Sequence, residues 1–245
     1  MIKINHLNIF KQLLFFFMIG SLQMVFAQEN THIQLSGFEP FQARKQNASW
    51  VLVESLLAKH PKINGIQIPV VWAKPFEVLS QFQKEGRLPK VWIAFGEGTQ
   101  TFQIEVHADN QRRDANDNLA QKPKTTEILL GGAKTLDHQW DQLKINALAD
   151  RLTKLGYPTK ISTEAGQYLC EEMLYQLLHF QKENQSKNST KLQSVFFIHV
   201  PILGHLLEID GKKKAVDQSY LLGFGEALLS TLGEMGVFGD VRILE

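Results

Sequence analysis

The sequence is poor in cysteine and in net charge, and each deficit excludes a class of protein. Cys170 is the only cysteine among 245 residues, which excludes a disulfide framework and a zinc site built on cysteine pairs. Lysine and arginine number 26 against 25 acidic residues, so the net charge is only +1. The basic surplus of a nucleic-acid-binding protein is missing, and no nucleic-acid partner is expected. The contents of 44% hydrophobic and 21% charged residues are those of a globular protein and exclude disorder, collagen and coiled coil.

The first 27 residues have the pattern of an export signal. Two lysines precede an apolar run at 13–19, and the small residue Ala27 stands at the position expected for signal cleavage. Polar and small residues at 20–23 interrupt the apolar character, which leaves it short of the roughly 20 residues that span a bilayer. We therefore expect residues 1–27 to be a removed signal peptide. Residues 28–245 are expected to form a single exported domain, periplasmic or secreted, without stable membrane insertion.

Strand-like and helix-like segments alternate along the rest of the chain. Apolar runs at 91–95 and 195–198 are typical of strands covered on both faces, whereas 170–178 carries apolar residues at helical spacing. This alternation predicts an α/β fold, a three-layer α/β/α sandwich around a central, largely parallel but mixed sheet. The polar stretches 111–142 and 181–193 are predicted to be irregular. Loops at the carboxyl ends of such strands usually carry the functional site.

Cys170 lies at the predicted start of a helix, soon after a strand and the small pair Ala165-Gly166. The partial positive charge and the free N–H groups of a helix start favour a thiolate. They also bind the oxyanion that forms when a carbonyl is attacked. The alternative is that Cys170 is simply a buried hydrophobic residue, which is the commoner fate of a lone cysteine. An acyl-transferring cysteine also needs a histidine and a group that orients that histidine.

Four histidines are candidates for the base. His199 ends a buried strand-like run, close to where the carboxyl ends of strands meet, although a structural core histidine is the alternative there. His179 would stand roughly 13 Å from Cys170 along the same helix. Spacing alone leaves His107 and His205 open. The residues by themselves therefore indicate a hydrolase with a Cys/His pair and give no substrate.

Several segments resemble the pyroglutamyl peptidase I family, also called the pyrrolidone-carboxylate peptidases. These segments are Gly37–Phe41 (GFEPF), Asn47–Trp50 (NASW), Glu105–Asn110 (EVHADN), Ser162–Cys170 (STEAGQYLC) and Phe197–Pro201 (FIHVP). They occur in the family's order, and the likeness extends from about residue 33 to about residue 230. The resemblance implies a single α/β/α domain that acts as a cysteine peptidase on peptides with a blocked, pyroglutamyl N-terminus. It implies no cofactor and no metal.

The resemblance assigns catalytic roles to individual residues. It implies Cys170 as the nucleophile, His199 as the base and Glu105 as the acid that orients the imidazole. Without the resemblance, Glu105 would be interpreted as an exposed strand carboxylate. Attack by the thiolate would give a thioester acyl-enzyme. The oxyanion is expected to lie near Cys170 and an arginine, for which Arg113 fits better than Arg112.

Four more residues are implied in binding the substrate ring. Phe38 and Phe41 are expected to sandwich the flat lactam, and Leu169 adds an apolar wall; by residue type alone, the two phenylalanines fit a core equally well. Aromatic faces suit a ring that has no ammonium group. Glu97 stands where the family has a glutamine close to this ring.

Departures from the family motifs leave other functions open. The stretch 96–101 is shortened, and Glu97, if it points inward, adds a charge that a free amine would suit better than a lactam. Glu171 replaces the asparagine after the nucleophile. The alternatives are a cysteine aminopeptidase or amidase with a different N-terminal specificity, and a catalytically inactive homologue that binds peptides. Some family members form tetramers, so a homo-oligomer is a further expectation.

Overall fold

Strands and helices alternate along residues 32–239, the part of the chain that the computed structural model describes. The predicted signal peptide at 1–27 lies outside the described residues. The strands are β1 (Ile33–Phe38), β2 (Asn64–Ile68), β3 (Val91–Thr99), β4 (Phe102–Glu105), β5 (His107–Asp109), β6 (Thr135–Asp137), β7 (Thr159–Ser162), β8 (Ser194–Pro201), β9 (Leu206–Ile209) and β10 (Lys212–Ala215). The helices are α1 (Ala48–Lys59), α2 (Lys74–Lys84), α3 (Gln142–Lys154), α4 (Leu169–Ser186) and α5 (Gln218–Glu234).

Six of these strands form a central sheet in the order β2-β1-β3-β8-β4-β7. The first four strands in that order run parallel to one another. β4 runs antiparallel to β8, and β7 runs parallel to β4. Two further pairs, β5 with β6 and β9 with β10, are antiparallel. The predicted α/β class with a largely parallel, mixed sheet is therefore confirmed.

Helices cover both faces of the sheet and make the three layers that the sequence predicts. Helices α1, α3 and α5 pack together on one face, while α2 and α4 pack together on the other. Along β3, Ile93 and Phe95 belong to the core under the first group, and Trp92 and Ala94 belong to the core under the second. Successive side chains of a strand point to opposite faces, so a run that is apolar throughout fits this double burial. No helix within residues 32–239 is both long and apolar enough to cross a bilayer.

Some regular structure lies where the sequence predicts irregular chain or gives no signal. Helix α4 continues to Ser186, although 181–193 is predicted to be a loop, because Gln181 is buried and donates its amide N–H to the carbonyl of Gln193 at 2.9 Å. The hairpin of β9 and β10 has no apolar alternation, since every residue of β10 is exposed. Residues 111–134 contain neither helix nor strand, as predicted for 111–142. The remainder of that stretch differs from the prediction, because β6 occupies Thr135–Asp137 through its pairing with β5, and α3 begins at Gln142.

Candidate active site

Cys170 is the second residue of α4, at the helix start that the sequence predicts. The chain reaches this helix through two residues in the left-handed region, Gly166 (φ +95°) and Gln167 (φ +52°), before the extended Tyr168. Glycine adopts such a conformation without steric cost. The N–H groups of the first turn have no acceptor within the helix, so the N–H of Cys170 is suited to bind an oxyanion.

Glu171, the residue after Cys170, directs its carboxylate to the backbone that shapes this turn. It accepts the N–H groups of Asp109 at 2.7 Å and of Gln167 at 3.1 Å. Burial raises the pKa of Glu171, against the lowering effect of these two hydrogen bonds. Asp109 and Glu105 also raise it, through repulsion between like charges. Glu171, which stands where the family has asparagine, therefore holds the loop that leads into helix α4.

Cys170, His199 and Glu105 form a connected group at the carboxyl end of β4. Oε1 of Glu105 lies 2.8 Å from Nδ1 of His199 on the neighbouring strand β8. Sγ of Cys170 lies beside the same ring, since a Cβ atom built at Gly96 would be 2.8 Å from Sγ and 2.9 Å from Cδ2 of His199. Glu105 is fully buried and His199 is 6% exposed. The structure thus brings together the three residues to which the sequence assigns the catalytic roles.

The environment of His199 favours its charged form. Burial lowers the pKa of His199, but attraction to the Cys170 thiolate, hydrogen bonds with Cys170 and Glu105, and the charge of Glu105 outweigh the burial. Together they raise the pKa of His199 to about 10. An imidazolium at neutral pH stabilises a neighbouring thiolate, which is the nucleophilic form of cysteine.

Gly96 of β3 makes room for the thiol and the imidazole. A Cβ atom built at this position would lie 2.8 Å from Sγ of Cys170 and 2.9 Å from Cδ2 of His199. Both distances are shorter than van der Waals contact, so a side chain here would displace one of the two groups. The sequence Gly-Glu-Gly at 96–98, directly after an apolar run, is typical of a turn, and that interpretation hides this role. The structure corrects that interpretation, because Gly96 pairs with His199 inside the parallel β3–β8 ladder.

Two of the other candidate histidines have carboxylate partners of their own. Nδ1 of His107 lies 2.6 Å from Asp137, and this hydrogen bond is the largest cause of the raised pKa of His107. The ring of His179 lies 3.6 Å from Glu183, one turn further along α4. Among the histidines in residues 32–239, His199 is the one whose pKa is raised by the neighbouring Cys170, and its ring lies beside Sγ. In the same range, no three histidine, cysteine, aspartate or glutamate side chains are grouped so as to hold a metal ion.

The two candidate arginines lie in different surroundings. Arg112 is 8% exposed and makes a two-point ion pair with Glu172, at 2.9 and 3.0 Å. Its remaining N–H groups bind the Thr125 hydroxyl and two backbone carbonyls. Arg113 instead lies over the ring of Tyr168, 4.8 Å from the ring centre. Tyr168 lies two residues before Cys170, so its ring brings Arg113 near the start of α4. Arg113 therefore remains the better prediction for a group that binds the oxyanion.

A row of aromatic rings borders the start of α4. Phe41 meets Tyr168 edge-on at 5.6 Å, and Tyr168 meets Trp72 edge-on at 4.9 Å. The Tyr168 hydroxyl donates to the carbonyl of Asn116 at 2.9 Å. Burial is the main cause that raises the pKa of Tyr168 to about 12, so this hydroxyl stays protonated. The sequence analysis predicts Phe41 as a site residue but misses Tyr168 and Trp72. The position of Tyr168, two residues before Cys170, could have indicated that it borders the site.

Phe38 and Leu169 lie in the apolar core between the sheet and the helices α2 and α4. They are 3% and 1% exposed, and Phe41 packs against the same core while remaining half-buried. Phe38 is the last residue of β1, next to the loop that carries Phe41. Contact of these three side chains with a substrate ring stays a prediction, and their core packing is what the structure describes.

Glu97 follows Gly96 on β3. Because neighbouring side chains of a strand point to opposite faces, and Gly96 faces Cys170, Glu97 faces the start of α1. Its carboxylate accepts the N–H of Ala48 at 2.5 Å and forms an ion pair with Arg44. Burial raises the pKa of Glu97, opposed by these two partners. Contact of Glu97 with the substrate stays a prediction, but both of its oxygens already have partners.

A thiol at a helix start, hydrogen-bonded to an imidazole whose other side meets a carboxylate, is the arrangement expected of a cysteine-type peptidase. The sheet places these groups together in the present chain. Residues 31–219 match the family model described as "Pyroglutamyl peptidase". The chain therefore belongs to the pyroglutamyl peptidase family and is a hydrolase of the cysteine peptidase type.

Relatives and solved structures agree with this membership. Pyrrolidone-carboxylate peptidases of Bacillus cereus and Bacillus thuringiensis are each 29% identical to this chain over 179 residues, which cover 70% of it and 78% of the relative. A pyrrolidone carboxyl peptidase of Fervidobacterium islandicum is 27% identical with a TM-score of 0.69, over 82% of this chain and 98% of its own. A mutant of the Pyrococcus furiosus enzyme is 25% identical with a TM-score of 0.65, over 83% and 98%. The family resemblance predicted from the sequence motifs is thus confirmed.

Proposed function

We propose that this protein is an exopeptidase that removes an N-terminal pyroglutamyl residue from peptides through a Cys170–His199–Glu105 triad. The observation that carries the proposal is the grouping of three side chains: the buried imidazole of His199 hydrogen-bonds with the buried carboxylate of Glu105, and the thiol of Cys170 lies beside the same imidazole. The names of the relatives, pyrrolidone-carboxylate peptidases, support the choice of substrate.

In the proposed reaction, the Cys170 thiolate attacks the carbonyl carbon that joins pyroglutamate to the next residue. The N–H of Cys170 and the Arg113 guanidinium stabilise the oxyanion that forms. The His199 imidazolium, oriented by Glu105, gives its proton to the leaving amine as the C–N bond breaks, and a thioester remains. Water then loses a proton to His199 and attacks the thioester. Collapse of the second oxyanion releases pyroglutamate and restores the thiolate and the imidazolium.

The proposed substrate pocket is apolar and aromatic. Phe38, Phe41, Tyr168 and Leu169 lie around the end of β1 and the start of α4 and would offer flat or apolar faces to the lactam. A lactam carries no ammonium, so the pocket needs no acidic anchor. An aminopeptidase would need a carboxylate for the substrate amine, whereas Glu97 is already occupied by Arg44 and Ala48. This favours the pyroglutamyl substrate over the free amine.

A pair of fluorogenic amides tests the proposal. Pyroglutamyl-coumarin amide and prolyl-coumarin amide share a five-membered ring, but only the second carries a charged ring nitrogen. We expect the wild type, under reducing conditions, to cleave the first and not the second. Cys170→Ala should lower the rate by about 1,000-fold or more. Cleavage of the prolyl amide alone would indicate the aminopeptidase. Cleavage of neither, with Cys170 no more reactive than a model thiol, would indicate the peptide-binding homologue.

We also propose that the protein is exported and that residues 1–27 direct the export. The support is the sequence pattern of two lysines, an apolar run at 13–19 and Ala27. Protein recovered from outside the cytoplasm should begin at Gln28 when its N-terminal peptide is sequenced. Recovery of the chain inside the cytoplasm with residues 1–27 intact would contradict the proposal. A homo-oligomer stays a prediction, which light scattering of the purified protein tests.

A further inference from the structure

Glu97 is a buried carboxylate whose partners both belong to the segment that leads into α1. Its side chain is only 5% exposed, and its oxygens bind Arg44 and the N–H of Ala48. Ala48 is the first residue of α1, where the N–H groups and the helix dipole favour a negative charge. A buried carboxylate is stable only with such partners. Glu97 therefore fastens the segment 44–48 to strand β3.

The start of α1 is in turn bonded to the Phe38–Phe41 box. The Phe38 N–H donates to Oγ of Ser49 at 2.9 Å, and Nδ2 of Asn47 donates to the carbonyl of Glu39 at 3.0 Å. A Cβ atom at Gly37 would come within 2.7 Å of the Ser49 backbone, so β1 and α1 touch directly here. These contacts join the box directly to the start of α1.

The other side of the box is held by Asn118. Its Oδ1 accepts the N–H of Gln42 at 2.9 Å, and its Nδ2 donates to the carbonyl of Pro40 at 2.9 Å and to Glu39 at 3.0 Å. Phe41 therefore lies between two residues that Asn118 binds, Pro40 and Gln42, and it precedes by three residues Arg44, which Glu97 binds. Its ring rests on Tyr168.

We propose that Glu97 and Arg44 are positioning residues that fix the Phe38–Phe41 box at a set distance from the catalytic pair. Glu97 can do this because the preceding residue, Gly96, is the one that touches Cys170 and His199. The inference rests on the proposed function, since it treats Phe41 as a wall of the lactam pocket. The contacts of Glu97 do not include the thiol or the imidazole. Their loss therefore weakens substrate binding and leaves the attack step almost unchanged.

Steady-state kinetics on pyroglutamyl-coumarin amide test this role. Glu97→Ala loses both contacts, and we expect KM to rise about tenfold, the equivalent of one charge-assisted hydrogen bond, while kcat changes less than about twofold. Glu97→Gln keeps an acceptor for Ala48 but loses the ion pair with the half-exposed Arg44, and it should raise KM only about two- to threefold. Arg44→Met should match Glu97→Gln. Glu234→Ala is the control, because it removes an ion pair with Arg151 that is about half exposed, and it should leave KM unchanged.

A measurement independent of turnover separates this inference from the proposed function. The rate at which iodoacetamide alkylates Cys170 should be equal in wild type and Glu97→Ala, and the lactam 2-pyrrolidone should slow it. Glu97→Ala should need about ten times more 2-pyrrolidone for the same protection.

The results that would overturn the inference are distinct from a failure of the proposed function. An unchanged KM with unchanged protection in Glu97→Ala overturns it, and so does a parallel fall in kcat and alkylation rate, or a wild type that 2-pyrrolidone does not protect. If Glu97→Ala does not fold, Glu97→Gln and Arg44→Met decide by the same criteria. A wild type that is protected but does not cleave the amide would remove the proposed function alone.

Discussion

Two carboxylates, Glu105 of β4 and Glu172 of α4, are both completely buried and both paired with a basic side chain. Glu172 meets Arg112 through both of its oxygens, and every N–H of that guanidinium has an acceptor. Glu105 meets His199 through one oxygen only, and its Oε2 has no hydrogen-bond partner among residues 32–239. All hydrogen-bonding groups of the Arg112 guanidinium therefore have partners, whereas Glu105 has one carboxylate oxygen without a partner in that range.

This difference in hydrogen bonding indicates different roles for the Arg112–Glu172 pair and the His199–Glu105 pair. A saturated buried ion pair cannot respond to a change of charge nearby, and it ties the irregular segment 111–134 to α4. A buried carboxylate that has an oxygen without a partner is stabilised by a nearby positive charge, and the adjacent imidazolium supplies that charge. Unsatisfied buried polar atoms are few in folded proteins, and a catalytic role is one of the explanations for them. The comparison therefore predicts that Glu172 belongs to the framework and agrees with the proposal that Glu105 acts in the chemistry, and the variants below test that division.

The largest effect is expected for Glu105→Gln. The amide keeps the size of the side chain but carries no charge, so it stabilises neither the imidazolium nor the correct tautomer of His199. We expect kcat to fall about 1,000- to 10,000-fold, with a smaller loss of stability than in Arg112→Met, because an imidazole can give up its proton near neutral pH. Rates on pyroglutamyl-coumarin amide and calorimetry of the same preparation measure both quantities. Activity within tenfold of wild type would show that Glu105 does not act in the chemistry.

Arg112→Met should produce the opposite pattern. It leaves Glu172 buried and unpaired, and breaking such a pair costs about 3–5 kcal/mol of unfolding free energy. We expect kcat per folded molecule to stay near the wild-type value. Denaturant unfolding measures the cost, and the double change Arg112→Met with Glu172→Leu should recover most of it.

The exposed pair Arg151–Glu234 supplies the control for the buried one. Arg151→Met should cost no more than about 1 kcal/mol, since both side chains are about half exposed. A loss of kcat in Arg112→Met as large as that in Glu105→Gln would break the division between framework and chemistry.

The sequence predicts the site better than it predicts the supports of the site. Cys170 and His199 can be inferred from local patterns, because one stands at a helix start and the other at the end of a buried apolar run. Glu105 comes only from the family motif. By itself it lies on an alternating strand and resembles an exposed carboxylate, and only the pairing of β4 with β8 buries it. The ion pair of Arg112 and Glu172 joins residues 60 positions apart, and one of them lies in a segment without periodicity.

Strand and helix boundaries can likewise be predicted only where short-range signals set them. Such signals decide some of them: β7 occupies Thr159–Ser162, directly after Gly156 and Pro158, and α5 begins directly after its cap Asp217. The orientation of Glu97 is missed because its segment has the sequence of a turn. Once Gly96 is interpreted as part of a turn, the alternation that points Glu97 to α1 is lost from view. Tertiary pairing, which the sequence does not display, restores it.

Gly96→Ala should have an intermediate effect. The added methyl group would stand 2.8 Å from Sγ of Cys170, so the thiol or the imidazole must shift, and a displacement of about 1 Å costs about 100-fold in rate. Gly37→Ala is the matched variant of the framework, because its methyl group would meet the Ser49 backbone at 2.7 Å. It should lower the unfolding free energy by about 1–3 kcal/mol with a smaller loss of kcat. Equal rate losses in the two variants would contradict the assignment of Gly96 to the catalytic geometry.

The smallest effect is a pH dependence of stability that only the Glu105–His199 side of the comparison should show. The folded-state pKa of His199 is about 10, against 6.5 for an unperturbed histidine. In the folded protein the Cys170 thiolate and the His199 imidazolium together hold one proton, whereas an unfolded cysteine keeps its thiol proton up to about pH 8.5 and an unfolded histidine keeps a second proton only below about 6.5. The two states therefore bind equal numbers of protons between about pH 6.5 and 8.5, and the stabilisation from the imidazolium is lost as the pH rises from about 8.5 through about 10. His199→Asn lacks this proton, so the difference in unfolding free energy between wild type and variant should shrink across that interval in denaturant titrations. A difference that stays constant with pH would mean that the buried imidazole is neutral in the folded protein, and Glu105 would then be an orienting hydrogen-bond acceptor without the electrostatic role inferred from its unpaired oxygen.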